Sequence, residues 1–198
     1  MQNYEFHMNV TPMFEDVFYR TYGKNTRLEL KNGMFDKGKL AILLQKLDDN
    51  NKQVDVLTLY IDLPKALVMA NDILSGRFSK MATDTSKITT VFKDMGGKPA
   101  ERANRPDGKP IYRELSIQKG KLWIIRGIQG PGKVTNTGGF APDGQMEHLI
   151  SIGMDSDTLK AIALTIQSEY QAFRTSKFYM SLATQPVATD YSDNFYGY

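Results

Sequence analysis

The sequence predicts an α+β fold built from two pseudo-repeated antiparallel sheet–helix units, and three observations carry that expectation. Two stretches run through the same order of β-rich segments, lysine-glycine-lysine turn and helix start. Each stretch ends in a segment whose apolar residues recur at helical spacing. The 198 residues, 41% apolar and 24% charged, are enough to bury a real core within one domain, which excludes wholesale disorder.

The first unit reads Arg27-Leu28-Glu29-Leu30, then Lys37-Gly38-Lys39-Leu40-Ala41-Ile42, then Val54 to Ile61, then a helix from Asp62. The second reads Arg113-Glu114-Leu115-Ser116-Ile117, then Lys119-Gly120-Lys121-Leu122-Trp123-Ile124, then His148 to Ile152, then a helix from Asp155. β-branched and aromatic residues bounded by Asn32-Gly33, Asp48 to Asn51 and Gln118 to Gly120 mark the strands. In the first helix Leu63, Ala66, Leu67, Ala70 and Leu74 share one face. Asp62 is placed as its N-cap, Pro64 lies in the first turn, and Gly76 can end it in the left-handed region. In the second helix Leu159, Ile162, Ala163, Ile166, Tyr170 and Phe173 keep the same spacing, with Asp155 and Asp157 at the positive end of the helix dipole. Each unit is expected to be a three- or four-stranded meander with one helix over one sheet face. The second unit is longer between turn and helix, and the Gly/Pro/Thr-rich stretch Gln129 to Gly144 reads as a long loop.

This gives an N-terminal tail over 1–12 and one domain over 13–180. Its repeats lie near 20–81 and 110–180, joined by a basic, partly mobile connector over 82–109, and a flexible acidic and aromatic tail follows over 181–198. From Lys98 to Lys133 there are nine basic residues against three acidic ones, a net of +6 in a chain whose total is +3. A concentrated basic segment points to a polyanionic partner. Within it Trp123, Lys121 and Arg126 lie on one expected strand, with Tyr112 and Arg113 on its neighbour and Lys119 in the turn segment before Trp123. Cations for phosphates and rings for unstacked bases are what single-stranded nucleic acid requires. Alternation from Lys121 to Trp123 places the indole on an exposed or half-exposed face. Tyr19, Arg20, Tyr22, Lys24 and Arg27 form a second cluster of this kind.

Several chemistries are excluded. Zero cysteines leave no disulfide scaffold, thiol nucleophile or cysteine-held metal, and His7 and His148 are the only histidines. Gly127-Ile128-Gln129-Gly130-Pro131-Gly132-Lys133 matches the spacing of a phosphate-binding loop, but Val134 stands where that motif needs a hydroxyl, and Thr135 to Gly139 cannot start a helix promptly. It reads as a flexible basic loop offering Lys133. Asp48-Asp49 and Asp155/Asp157 fall at a turn and a helix start, so neither pair suggests acid–base catalysis. No enzyme, metal or cofactor is expected. Without a long apolar run or a leader-like N-terminus, the expectation is a soluble cytoplasmic protein without membrane contact.

The doubled unit and Lys37-Gly38-Lys39-Leu40-Ala41-Ile42 resemble the Whirly-type single-stranded DNA-binding proteins, whose motif at this place is K-G-K-A-A-L. The resemblance implies two sheets packed crosswise, helices in the core of a homo-oligomer (a tetramer), and single strands lying across sheet edges without sequence preference. It also implies roles for Lys37 and Lys39 in DNA binding and assembly. The tail, with Asp190, Asp193, Phe195, Tyr196 and Tyr198, is similar to the C-termini of bacterial single-strand-binding proteins, which recruit replication partners. Together these imply a single-stranded DNA-binding protein of replication or recombination in a bacterium, phage or plasmid. An RNA-binding regulator and a structural or scaffolding protein of a phage or mobile element are the alternatives. Arg27, Lys37, Lys39, Tyr112, Arg113, Lys119, Lys121, Trp123, Arg126 and Lys133 are the candidate nucleic-acid contacts.

Overall fold

The computed structural model describes residues 17–84 and 86–183. Strands β1 (Val17–Gly23), β2 (Thr26–Lys31), β3 (Lys39–Leu47) and β4 (Gln53–Asp62) form an antiparallel meander, followed by helix α1 (Leu63–Leu74) and the short α2 (Arg77–Met81). The second sheet is assembled from β5 (Thr89–Lys98), β6 (Ile111–Lys119), β7 (Trp123–Val134) and β9 (His148–Met154). The short α3 (Ala100–Ala103) precedes β6, and the short β8 (Phe140–Pro142) pairs with the far end of β7. Helix α4 (Ser156–Ala183) closes the described chain.

Register turns sequence alternation into two apolar faces. In the first sheet Leu28, Leu44 and Leu57 lie side by side, as do Leu30, Ile42 and Leu59. In the second, Leu115, Gly127 and Ile150 form one row, and Ile117, Ile125 and Ile152 the next. Strand β9 touches all four strands of the first sheet, so the two sheets pack face to face and crosswise. At the crossing, a Cβ added to Gly127 would sit 2.7–2.9 Å from the side chains of Leu57, Leu44 and Leu59. That glycine exists to let the sheets approach, which accounts for part of the glycine-rich motif: residues 127–134 are strand, and the expected flexible loop is corrected. The excursion of the second unit is instead the β7–β8 hairpin and the turn after it.

Leu63, Ala66, Met69, Ala70 and Ile73 of α1 pack with Leu159, Ile162, Ala163 and Ile166 of α4 into one core with both sheets. The helices thus share a common core instead of each covering its own sheet. The α4 stripe is buried within a single chain, so its burial needs no oligomer. Gly76 adopts φ +72° and ends α1 as expected. Asp62 has the extended backbone of an N-cap but makes no side-chain cap bond, because its carboxylate pairs with Lys39. Asp155 does cap α4, accepting the Thr158 N–H at 2.7 Å. The expected connector over 82–109 contains β5, which sequence alone does not reveal: Asp94, Gly96 and Gly97 mask its strand character. Residues 1–12 and the tail residues Asp190, Asp193, Phe195, Tyr196 and Tyr198 lie outside the described residues.

Candidate nucleic-acid interface

The face of the first sheet turned away from the core carries three cross-strand rows. Tyr22 lies opposite Arg27, which lies opposite Gln45 and then Val56. Arg20, Glu29, Leu43 and Thr58 form the second row, and Lys31, Ala41 and Tyr60 the third. Arg27 donates from Nε to Gln45 Oε1 at 2.6 Å, and Arg20 from Nε to Glu29 Oε1 at 2.8 Å. Glu29 sits buried between the two guanidinium groups, 3.3 Å from Arg27, and its bond holds Arg20 above the ordinary arginine pKa. These bonds fix the direction of both arginines while their surfaces stay partly open. Tyr22 is 62% and Tyr60 46% exposed. Lys39 projects on the same face beside Asp62. The face therefore presents rings and guanidinium groups together.

Tyr60 also reaches the seam where the edge of the first sheet crosses the second. There Leu59, Tyr60, Asp94, Gly96, Gly97, Arg113 and Leu115 line a cleft of about 70 Å³. Arg113 is half-buried on the core-facing side of β6 and donates from Nε to Gln129 Oε1 at 2.6 Å. Burial holds its guanidinium below its ordinary pKa. Tyr60 went unnoticed as a candidate in the sequence, although strict alternation along β4 places it with Val54, Val56 and Thr58, opposite Leu57, Leu59 and Ile61.

The remaining candidates do not converge. Trp123 is 3% exposed, which corrects the expected exposed indole. Residues 120–122 form the hairpin turn, where the Gly120 N–H bonds to the Leu122 carbonyl, so alternation does not extend from Lys121 to Trp123. The ring points inward with Ile125, its Nε1–H donates to Ser156 Oγ at 3.1 Å, and Lys119 Nζ lies 4.8 Å from the ring centroid. Tyr112 is equally buried, against Gly132, and its hydroxyl donates to Glu114 Oε2 at 2.6 Å. Stacking needs an accessible ring face, so neither aromatic is positioned for it. Lys121 and Lys133 lie at opposite ends of β7, on the order of 40 Å apart at about 3.3 Å per residue. Arg126 stands on the outward face of the second sheet between Ser116 and Ser151. Lys37 lies exposed in the turn over 35–37.

Much of the basic segment is internally compensated. Arg105 reaches Asp107 at 2.8 Å and Glu147 at 2.6 Å, and Lys109 reaches Asp143 at 2.7 Å. These pairs tie the loop before β6 to the loop before β9. They hold Asp107 down to about 2, and Asp143 and Glu147 below the usual carboxylate range. The charge concentration seen in the sequence is thus in good part structural.

No family model matches the chain, and no curated protein matches it. Among solved structures, the chain is similar to the plant transcriptional regulator PBF-2, at 8% identity and a TM-score of 0.47, over 82% of this chain and 86% of that one. What the chain demonstrably has is a mixed α+β fold with two antiparallel sheets and a solvent-facing side on each. Among the described residues, no helix is long and apolar enough to cross a membrane.

Proposed function

We propose that this protein binds single-stranded nucleic acid, DNA foremost, without sequence preference and without catalysing a reaction. The observation that carries this reading is the outward face of the first sheet, where solvent-facing Tyr22 and Tyr60 share a surface with Arg20, Arg27, Lys31 and Lys39. A single strand offers unstacked bases to such rings and phosphates to such cations, and every base has a face to stack. Lys37, exposed in the turn just before β3, adds a further cation within the K-G-K-A-A-L-like stretch.

Binding of this kind suits the coating of exposed strands during replication or recombination, with the acidic, aromatic tail recruiting partner proteins. Self-association fits the apolar side chains that the helices leave exposed, namely Val68 on α1 and Leu164, Phe178 and Tyr179 on α4.

The test is fluorescence anisotropy of labelled oligo(dT) and oligo(U) of equal length across a salt series. Binding is expected to weaken linearly in log–log form as salt rises. The double substitution of Tyr22 and Tyr60 by alanine is expected to weaken it without altering the fold. Absence of any anisotropy change at low salt overturns the reading and favours a structural role. Preference for oligo(U) moves it to RNA. Sedimentation of the wild-type protein as a monomer removes the self-association.

A further inference from the structure

Across the end of the second sheet, register aligns Gly96, Arg113, Gln129 and His148 in one row on the core-facing side. The row continues onto the first sheet, because His148 Nδ1 lies 2.8 Å from Asp55 Oδ1. A polar row on an apolar face needs a reason, and its centre is Arg113. Among the described residues no carboxylate lies within ion-pair distance of this guanidinium, and its one resolved partner is the neutral Gln129. Asp94 lines the same cleft but is committed to Lys65 Nζ at 2.5 Å. A half-buried guanidinium without an anion is an energetic liability unless something supplies one.

The walls around it suit an oxyanion. A Cβ added to Gly96 meets nothing within 4 Å, so the glycine leaves open space directly across from Arg113. Tyr60 stands at the mouth of the cleft, half on the outward face of the first sheet. Gln129 fixes the guanidinium by its Nε–H, which leaves the Nη groups to form a fork toward a ligand. A cleft of about 70 Å³ is small, so the ligand group is compact.

We propose that the seam cleft is a phosphate-binding site, with Arg113 supplying the charge, Gln129 acting as positioning residue and Tyr60 closing the mouth. This rests on the reading of the outward face as a strand-binding surface: the strand would run over Tyr60 and lodge one phosphate against Arg113. The phosphate is either an internal phosphodiester of that strand or a terminal or free phosphate, and the two sources are separable.

The experiment compares wild type with Arg113→Met and with Gly96→Val, which fills the cleft without touching the arginine. Anisotropy is measured on oligo(dT) with and without a 5′-phosphate, and on the same oligomer carrying scattered neutral methylphosphonates. The proposal expects each variant to bind oligo(dT) about tenfold more weakly at low salt, and Arg113→Met to lower the salt slope by about one ion. Equal loss for both oligomers assigns an internal phosphate, and loss confined to the phosphorylated one assigns the terminus. In parallel, inorganic phosphate should raise the thermal midpoint of wild type but not of either variant. If wild type binds oligo(dT) and both folded variants match it in affinity and slope, the cleft assignment is overturned while the sheet-face reading stands. If wild type binds no oligomer but phosphate stabilises it through Arg113, the cleft stands and the strand reading falls. Methylphosphonate substitution that leaves affinity intact also counts against an internal phosphate.

Discussion

The two sheets repeat one order of elements yet present different chemistry to solvent. On the first, the outward rows carry Tyr22, Arg20, Arg27, Lys31 and Tyr60. On the second, Met95, Glu114, Ile128 and Leu149 form one row and Lys93, Ser116, Arg126 and Ser151 the next, with Lys93 paired to Glu114 at 3.0 Å and no exposed tyrosine among them. Where the sheets cross, the inward rows show no such divergence: Leu28, Leu44 and Leu57 with Leu30, Ile42 and Leu59 on the first sheet meet Leu115, Gly127 and Ile150 with Ile117, Ile125 and Ile152 on the second. Even the shared lysine-glycine-lysine is used differently. In the first unit Gly38 takes φ +68° in a turn leading into β3, with Lys39 on the outward face. In the second unit the triplet forms the β6–β7 hairpin, with Lys119 against Trp123. Folding constrains what faces the core, whereas outward positions diverge because little in the packing depends on them, and the proposed binding face lies on such positions.

Substitutions can test this contrast. Leu44→Ala on the first sheet and Ile125→Ala on the second should each cost about 2–5 kcal/mol of stability, since both side chains are buried in the same core. Chemical denaturation showing a large loss at one and none at the other would mean that the sheets do not share a core. Gly127→Val should be destabilising by about 1–3 kcal/mol through overpacking at the sheet crossing. The same substitution at Gly96 should be nearly silent, which thermal unfolding distinguishes.

On the binding side, losing a stacked ring should cost about 1–3 kcal/mol of affinity for oligo(dT). Tyr22→Ala with Tyr60→Ala is therefore expected to weaken binding, while Met95→Ser with Leu149→Ser on the second sheet should leave it unchanged. The reverse result would transfer the interface to the second sheet. Trp123→Phe removes the bond to Ser156 and should cost about 1 kcal/mol of stability with no change in affinity per folded molecule.

The smallest effect expected is acid loosening of the loop clamp. Asp107, Asp143 and Glu147 have folded-state pKa values below their ordinary ones, so their contribution is present above about pH 4. It is lost as pH falls toward the value of about 2 at Asp107. Amide exchange in residues 104–110 and 143–147, relative to the intrinsic rate at each pH, should accelerate in that window ahead of the sheets. Uniform acceleration would show that these pairs do not act as a separate clamp.

The strands at Leu28, Leu40 and Leu57, and both amphipathic helices, were legible because alternation and helical spacing are local patterns that packing preserves. Strand β5 was not legible, because paired glycines and mixed charges hide a strand that β6 stabilises from outside. Of the candidate contacts, Arg27 and Lys39 fell on one surface and Arg113 joined it through Tyr60, whereas Trp123 and Tyr112 went to the interior. The exposure of Trp123 depended on where a hairpin turn begins, since a shift of one residue in a strand exchanges its two faces, and that of Tyr112 on the close approach of Gly132.

The sequence by itself determined the class of the fold, the doubled order of sheet and helix, the inward leucine and isoleucine rows, and the glycine that ends α1. Each of these follows from backbone preference and apolar periodicity within a few residues. Only the tertiary structure decided that Gly127 serves a sheet crossing instead of a phosphate loop, and that acids pair Arg105 and Lys109. It likewise decided that no acid among the described residues pairs with Arg113 at the seam. Those outcomes depend on residues tens of positions apart meeting at one point, and a linear pattern holds no record of that distance.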